Sequence, residues 1–408
     1  MQPQSKKTHE RFFWIMCIIG AFAILSSTLS KNPALKPFAT SLGTPADLLG
    51  FVAAASTIPG MIISLPAASL SDVVGRRKVL LFSTFVFASA PFLYLFVTEW
   101  WQLIIVRFYH GFATAIFVPV TEATIAERFP TKRGERISLF SSATAVGRAL
   151  APFLGGYLLF LTNYGYSTLY LAVGIAGVTA FVLTFLLFIE KEVPIAESTR
   201  SKRARGMFHG WLTIAKNRHV LAVSFVQASQ YYVFGVVEFF LVGYLSEIAK
   251  LDALTIGVVM GSQVVALIVA RPVMGRISDK IGRRILIISG SIIGGGLLLL
   301  VPFSTQVPVL LLLSIGYGVS FATVISSTSP LTCELVPCEL VGASLGFLST
   351  MMDVGQTLGP IISGFILAIS LQYSVLFFSL SLLLILSVAV FLLRTGKKTS
   401  QGNSCANS

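Results

Sequence analysis

Apolar positions run in long stretches along this chain, and polar positions gather in the short breaks between them. Twelve apolar segments stand out, at 11–37, 46–70, 78–97, 101–127, 137–161, 166–189, 219–246, 254–276, 284–303, 308–334, 340–369 and 373–393. Most can cross a hydrocarbon core of about 30 Å, which takes roughly 20 helical residues. They show no period-two alternation and exceed the length of membrane strands, which argues against a β-barrel. The expected fold is an all-α integral membrane protein of twelve transmembrane helices. Lys6, Lys7 and Arg11 precede the first run, which continues from Phe12 to about Leu29 with no clear small-residue cleavage site. It reads as a first span rather than a leader.

The breaks repeat. Ser71-Asp72-Val73-Val74-Gly75-Arg76-Arg77 returns 207 residues later as Ser278-Asp279-Lys280-Ile281-Gly282-Arg283-Arg284. Glu127 and Pro130 return at the same offset as Glu334 and Pro337, and Gly147 and Pro152 return at 208 as Gly355 and Pro360. The pattern predicts two parallel six-helix repeats: residues 1–189, a cytoplasmic linker at 190–218, residues 219–394, and a cytoplasmic tail at 395–408. Parallel repeats about an axis along the membrane normal are a transporter architecture, with a substrate site expected near the midplane between the halves.

Composition agrees. The chain is 55% hydrophobic and 12% charged, against about 25% charged in soluble domains. The net charge of +13 would suggest nucleic acid in a soluble protein, but its distribution points elsewhere. With the N-terminus placed in the cytoplasm, 24 of the 30 Lys and Arg fall in cytoplasmic segments and 3 on the opposite face. The other 3, Arg107, Arg148 and Arg271, fall within spans. This asymmetry follows the positive-inside rule; both termini are expected in the cytoplasm and no nucleic-acid partner is expected. The linker reads as a basic segment near anionic lipid or as a plain connection. Cys17, Cys333, Cys338 and Cys405 form no C-x-x-C pair, so buried thiols are expected rather than disulfides or zinc ligands. No metal or cofactor is expected.

These breaks also carry a resemblance. The chain is similar over essentially its whole length to the major facilitator superfamily. The family's loop pattern G-x-x-x-D-x-x-G-R-R/K is matched by Gly275, Asp279, Gly282, Arg283 and Arg284; the first copy has Asp72, Gly75, Arg76 and Arg77, with Ala68 at the leading glycine. A span-4 pattern, R-x-x-x-G, appears as Arg107 and Gly111. A span-5 pattern, G-x-x-x-G-P-x-x-G-G, appears as Gly147, Ala151, Pro152, Gly155 and Gly156; it resembles the drug/proton antiporter branch. Pro33-Ala34-Leu35-Lys36-Pro37 resembles that branch's first-helix pattern, with Lys36 as an insertion.

The resemblance implies a cytoplasmic gate, to which Asp279 also belongs, in which Asp72 caps the N-terminus of a helix in the other half, where the helix dipole favours an anion. Arg76 would pair with Glu127, and Gly75, Gly282 and Arg283 would take equivalent parts. The plainer reading of these loops is a glycine turn with cations at the headgroups. Gly147, Pro152, Gly156, Gly355 and Pro360 mark helices expected to slide at the interface between halves, since small residues let backbones approach.

Charges inside spans cost about 2.5–3.5 kcal/mol each on insertion scales and so mark candidate function. Arg107, Gly111, Thr114, Val118 and Glu122 lie on one helical stripe with His110 at its edge; Gln227, Tyr231, Phe234 and Glu238 form another. The resemblance places spans 1, 4, 7 and 10 around a central cavity, which makes Arg107, His110, Glu122, Gln227, Tyr231 and Glu238 candidates for substrate or proton binding. His110 reads either as a relay or as a hydrogen-bonded structural group. The 207 offset carries Lys31 onto Glu238, and the two are expected to pair as an outer gate or to face an outer vestibule separately. Arg271 and Asp353 read as a structural or a transport-linked pair. Arg148 has Glu122 as one candidate partner and an anionic substrate as another.

The leading expectation is a monomeric proton-coupled secondary transporter in the cell membrane, exporting small amphipathic or organic solutes by alternating access. The alternative is an importer or facilitator of a metabolite such as a sugar or organic anion. A sensor built on this fold would usually need an added soluble domain. No H-E-x-x-H, G-x-S-x-G, P-loop or paired-acid site is found, which disfavours an enzyme.

Overall fold

The helices begin where the polar breaks end, and several are capped by the residues of those breaks. In the computed structural model, described for residues 3–63, 71, 74–188, 214, 216–337 and 340–395, no strand occurs among the described residues. Eleven helices among them are long and apolar enough to cross a membrane. The helices are α1 (Pro3–Leu29), α2 (Leu35–Ser41), α3 (Leu49–Ala54), α4 (Arg76–Leu93), α5 (Trp100–Arg128), α6 (Arg133–Leu161), α7 (Tyr166–Leu187), α8 (Arg218–Val236), α9 (Val242–Glu247), α10 (Ala253–Ile281), α11 (Arg283–Leu300), α12 (Val307–Glu334), α13 (Val341–Ser370) and α14 (Tyr373–Thr395).

Local chemistry explains the boundaries. Glu99 and Gln102 form a reciprocal capping box at the start of α5. Asn217 accepts from the amides of His219 and Val220 at the start of α8. Gly75 and Gly282 precede α4 and α11 with φ of 104° and 105°, a backbone region that glycine enters at little cost. Gly75 and Gly282 therefore share one backbone conformation at equivalent positions of the repeat.

Two expectations need revision. The first span is predicted at 11–37, but α1 ends at Leu29, and a turn separates it from the short α2. The segment 46–70 is helical over Leu49–Ala54, turns at 55–57 and is helical again over 58–63; residues 64–70 lie outside the described residues. Most of the predicted linker, the tail from 396, and Asp72 lie outside them as well.

The chain divides into two units. The first comprises Met1–Pro45, Phe51–Arg200 and Leu251–Gly261, and the second Ala46–Gly50, Ser201–Lys250 and Ser262–Ser408. In the first, Phe13, Met16, Phe87, Phe117 and Phe140 lie in one apolar core drawn from α1, α4, α5 and α6. In the second, Val223, Val226, Ile287, Val324 and Phe391 form the corresponding core of α8, α11, α12 and α14.

The units repeat contacts as well as residues. A Cβ on Gly147 would lie 2.2 Å from the carbonyl oxygen of Ala21, and one on Gly355 would lie 2.1 Å from that of Ala228. Likewise a Cβ on Gly111 would lie 2.4 Å from the oxygen of Ser56, and one on Gly318 would lie 2.3 Å from that of Gln263. Each glycine is present because a backbone passes where a side chain would stand.

Candidate functional site

The charged loop of each unit is held by an arginine at the first position of the helix that follows. In the first unit Arg76 donates through Nη2 to Glu127 Oε1 at 2.6 Å and through Nε to Oε2 at 3.4 Å, while its Nη1 donates to Ser71 Oγ. In the second, Arg283 Nε donates to Glu334 Oε1 at 2.5 Å and Nη1 to Asp279 Oδ1 at 2.6 Å. Arginine suits this position because its planar fork can serve two acceptors at once. The pairing of Arg76 with Glu127 is thus present, and its repeat exists at the expected offset. Asp279 is engaged by its own unit's Arg283. The acids stay partly exposed: the Glu127 and Glu334 side chains are 35% and 53% accessible. Such pairs contribute about 0.2–1 kcal/mol. Glu127→Gln and Glu334→Gln are therefore expected to leave the melting temperature of the purified protein within a few degrees of wild type. A drop comparable to that of a core substitution would show that the loops are major folding elements.

Within the membrane-spanning helices, Arg107 is the most committed of the candidate residues. It is 1% exposed. Its Nε donates to the Val52 carbonyl at 2.8 Å, and Nη2 donates to the Ala53 carbonyl at 3.3 Å and to Ser56 Oγ at 2.7 Å. The Val52 and Ala53 carbonyls belong to the C-terminal end of α3, where unwinding leaves carbonyls without helical donors, and Ser56 belongs to the turn that follows. Gly111, one turn along α5, lets that turn approach. The R-x-x-x-G pair therefore works as a clamp on the break in segment 46–70.

His110 lies beside it in an aromatic nest. Its Nδ1 is 3.4 Å from Tyr94 Oη, and Phe87 meets its ring edge-on at 5.9 Å. Tyr94 stacks on Tyr170 with centroids 4.3 Å apart. His110 Nε2 and Tyr170 Oη are buried with no hydrogen-bond partner among the described residues. Glu122 is half-buried three turns below Gly111; no hydrogen bond or ion pair reaches it or Arg148 among the described residues, so the two do not pair with each other here.

In the second unit, Gln227 is buried and its Oε1 accepts from Thr328 Oγ1 at 2.7 Å. This bond ties α8 to α12. Tyr231 is half-buried; its ring meets Phe321 at 5.2 Å and Phe234 at 6.3 Å, and Phe234 stacks on Phe321 at 4.7 Å. Glu238, also half-buried, lies in a five-residue π-helical turn, Val237–Leu241. Such turns displace side chains from the regular helical register and recur at functional positions. The Arg271 side chain is exposed, and among the described residues no ion pair joins it to Asp353; its carbonyl accepts from Ser326 Oγ at 3.1 Å. Lys31 and Glu238 belong to different units.

The repeat exposes residues that single-residue inspection passes over. Offsetting Ser56, Arg107 and His110 by 207 gives Gln263, Ser314 and Tyr317. Gln263 and Tyr317 are buried, and Gln263 Oε1 and Tyr317 Oη have no hydrogen-bond partner among the described residues. Where the first unit has a clamped arginine, the second therefore has a serine and two unsatisfied polar groups. No cluster of three or more metal-ligating side chains occurs among the described residues.

Among proteins of known sequence, the chain is 23% identical over 344 residues to an uncharacterized MFS-type transporter of Methanocaldococcus jannaschii, covering 82% of this chain and 86% of that protein. It is 24% identical over 377 residues to the multidrug resistance protein MdtG of Enterobacter lignolyticus, covering 88% and 86%. Among solved structures, the nucleoside transporter NupG superposes with a TM-score of 0.78 at 14% identity, covering 95% of this chain and 100% of that one. The profile of the Major Facilitator Superfamily matches residues 16–247 and 223–404. With both repeats matched, and with two similarly folded units each carrying the family's loop arginine, this chain belongs to the Major Facilitator Superfamily of membrane transporters.

Proposed function

We propose that this transporter is proton-coupled and exports small amphipathic or organic solutes from the cytoplasm across the cell membrane by alternating access. The observation that carries the reading is Glu122, a carboxyl inside a membrane-spanning helix that no cation neutralises among the described residues. Such a group is costly unless it exchanges a proton or a cation with a water-filled path. Glu238, in its π-helical turn, is a second carboxyl inside a membrane-spanning helix, in the other unit. The similarity to MdtG, a multidrug resistance protein, supports export. The excess of Lys and Arg in alternate loops supports cytoplasmic termini.

Purified protein in liposomes under an imposed pH gradient, with panels of dyes and metabolites, tests the proposal. Flux is expected to follow the gradient. Glu122→Gln and Glu238→Gln should each lower gradient-driven flux at least about tenfold, the loss expected when a positioned proton-transfer group is removed. Flux that ignores the gradient would end the coupling proposal, and full activity in both variants would remove the two carboxyls from it.

A further inference from the structure

Helix α6 has three distinguishable faces. Val146, Leu150, Leu154 and Tyr157 are exposed and largely apolar, spaced as one stripe toward lipid. Gly147, Ala151 and Gly155 are buried, with Gly147 against Ala21 of α1 and Gly155 against Asn32 and Pro33 just beyond it. At about 100° per residue, Arg148 lies roughly 170° from the centre of the lipid stripe. It shares this third face with Ser141, which is exposed, and with Pro152 and Gly156. Arg148 is about 20 Å along the helix from either end of α6. Its side chain is exposed and has no hydrogen bond or ion pair among the described residues.

A guanidinium at that depth, turned away from lipid and without a partner among the described residues, requires water or a ligand. From these observations we propose that Arg148 is the anchor for an anionic group of the transported solute, a carboxylate, sulfonate or phosphate carried on a small apolar body. The planar fork of arginine binds such groups through two parallel hydrogen bonds. No Asp or Glu occurs in α6 between Ser138 and Leu161, so the helix offers no internal counter-ion on that face. This inference rests on the transporter reading above and narrows its substrate class.

Binding can be measured without transport. Wild type in phosphatidylcholine nanodiscs would be titrated with salicylate and benzenesulfonate, and with the neutral salicylamide and benzenesulfonamide, followed by tryptophan fluorescence. The anions are expected to bind at least tenfold more tightly than their neutral counterparts. Arg148→Gln should erase that difference, and Arg148→Lys should keep part of it. Size-exclusion profiles would establish that both variants are folded. Equal binding of anions and neutral analogues by wild type, or unchanged discrimination in Arg148→Gln, overturns the proposal. So does an outcome in which added phosphatidylglycerol raises the melting temperature of wild type but not of Arg148→Gln while salicylate has no effect, since a lipid headgroup would then hold the guanidinium. Loss of gradient-driven flux with anion discrimination intact would sink proton coupling and leave this inference standing.

Discussion

Arg107→Leu is expected to remove most of the folded protein from the membrane. Leucine fills the volume but donates nothing, so the Val52 and Ala53 carbonyls and the Ser56 hydroxyl lose their shared donor in a buried site. Removing one side of a buried charged hydrogen-bond network costs about 2–5 kcal/mol, a large part of the stability of a typical domain. Arg107→Lys should fall between the two, because an ammonium keeps the charge but cannot reproduce the fork. Thermal unfolding followed by fluorescence-detected size exclusion would read both. If Arg107→Leu melted with wild type while losing gradient-driven transport, Arg107 would be a transport group and the clamp would be secondary.

The second large effect is steric, and it should occur twice. Gly147→Ala places a methyl 2.2 Å from the Ala21 oxygen, and Gly355→Ala places one 2.1 Å from the Ala228 oxygen. In each case the obstacle is helical backbone, which cannot rotate aside. Overpacking of this kind costs about 1–3 kcal/mol and sometimes more. The two variants should lower the melting temperature by similar amounts, because the helix crossings repeat. Gly296→Ala is the control: nothing lies within 4 Å of its Cβ position, so the expected change is neutral, or favourable by up to about 1 kcal/mol from helix propensity. A wild-type melting temperature for Gly147→Ala would mean that α1 and α6 are free to separate at Ala21.

The long apolar runs, the duplicated charged loop and the offset of 207 are visible without coordinates, because membrane helices must be long and apolar and a duplicated gene keeps its register. Glu127 could be named as the partner of Arg76 for the same reason: both lie at adjoining ends of consecutive helices, and the structure joins them at 2.6 Å. The spacing also marked Gly147 and Gly355 as packing positions, since small residues recurring every fourth position form a helix face.

Other features depended on contacts that spacing does not encode. Stripe membership made Gln227 look ligand-facing, but Thr328, 101 residues away, takes its oxygen. Arg107 looked like a cavity charge because the Pro59-Gly60 pair marks a helix break nearby but not the carbonyls that Arg107 takes there. The π-helical turn around Glu238 and the buried pair Gln263 and Tyr317 arise from helix packing. By itself the sequence determined an all-helical, duplicated membrane transporter, its loop arginines and its packing glycines, because hydrophobic length, repeat register and residue size are local properties. Tertiary structure alone decided which intramembrane polar groups are consumed by neighbours, as Arg107 and Gln227 are, and which stay without a partner among the described residues, as Glu122 and Arg148 do. A hydrogen bond needs both partners in place, and the partners come from helices far apart in the chain.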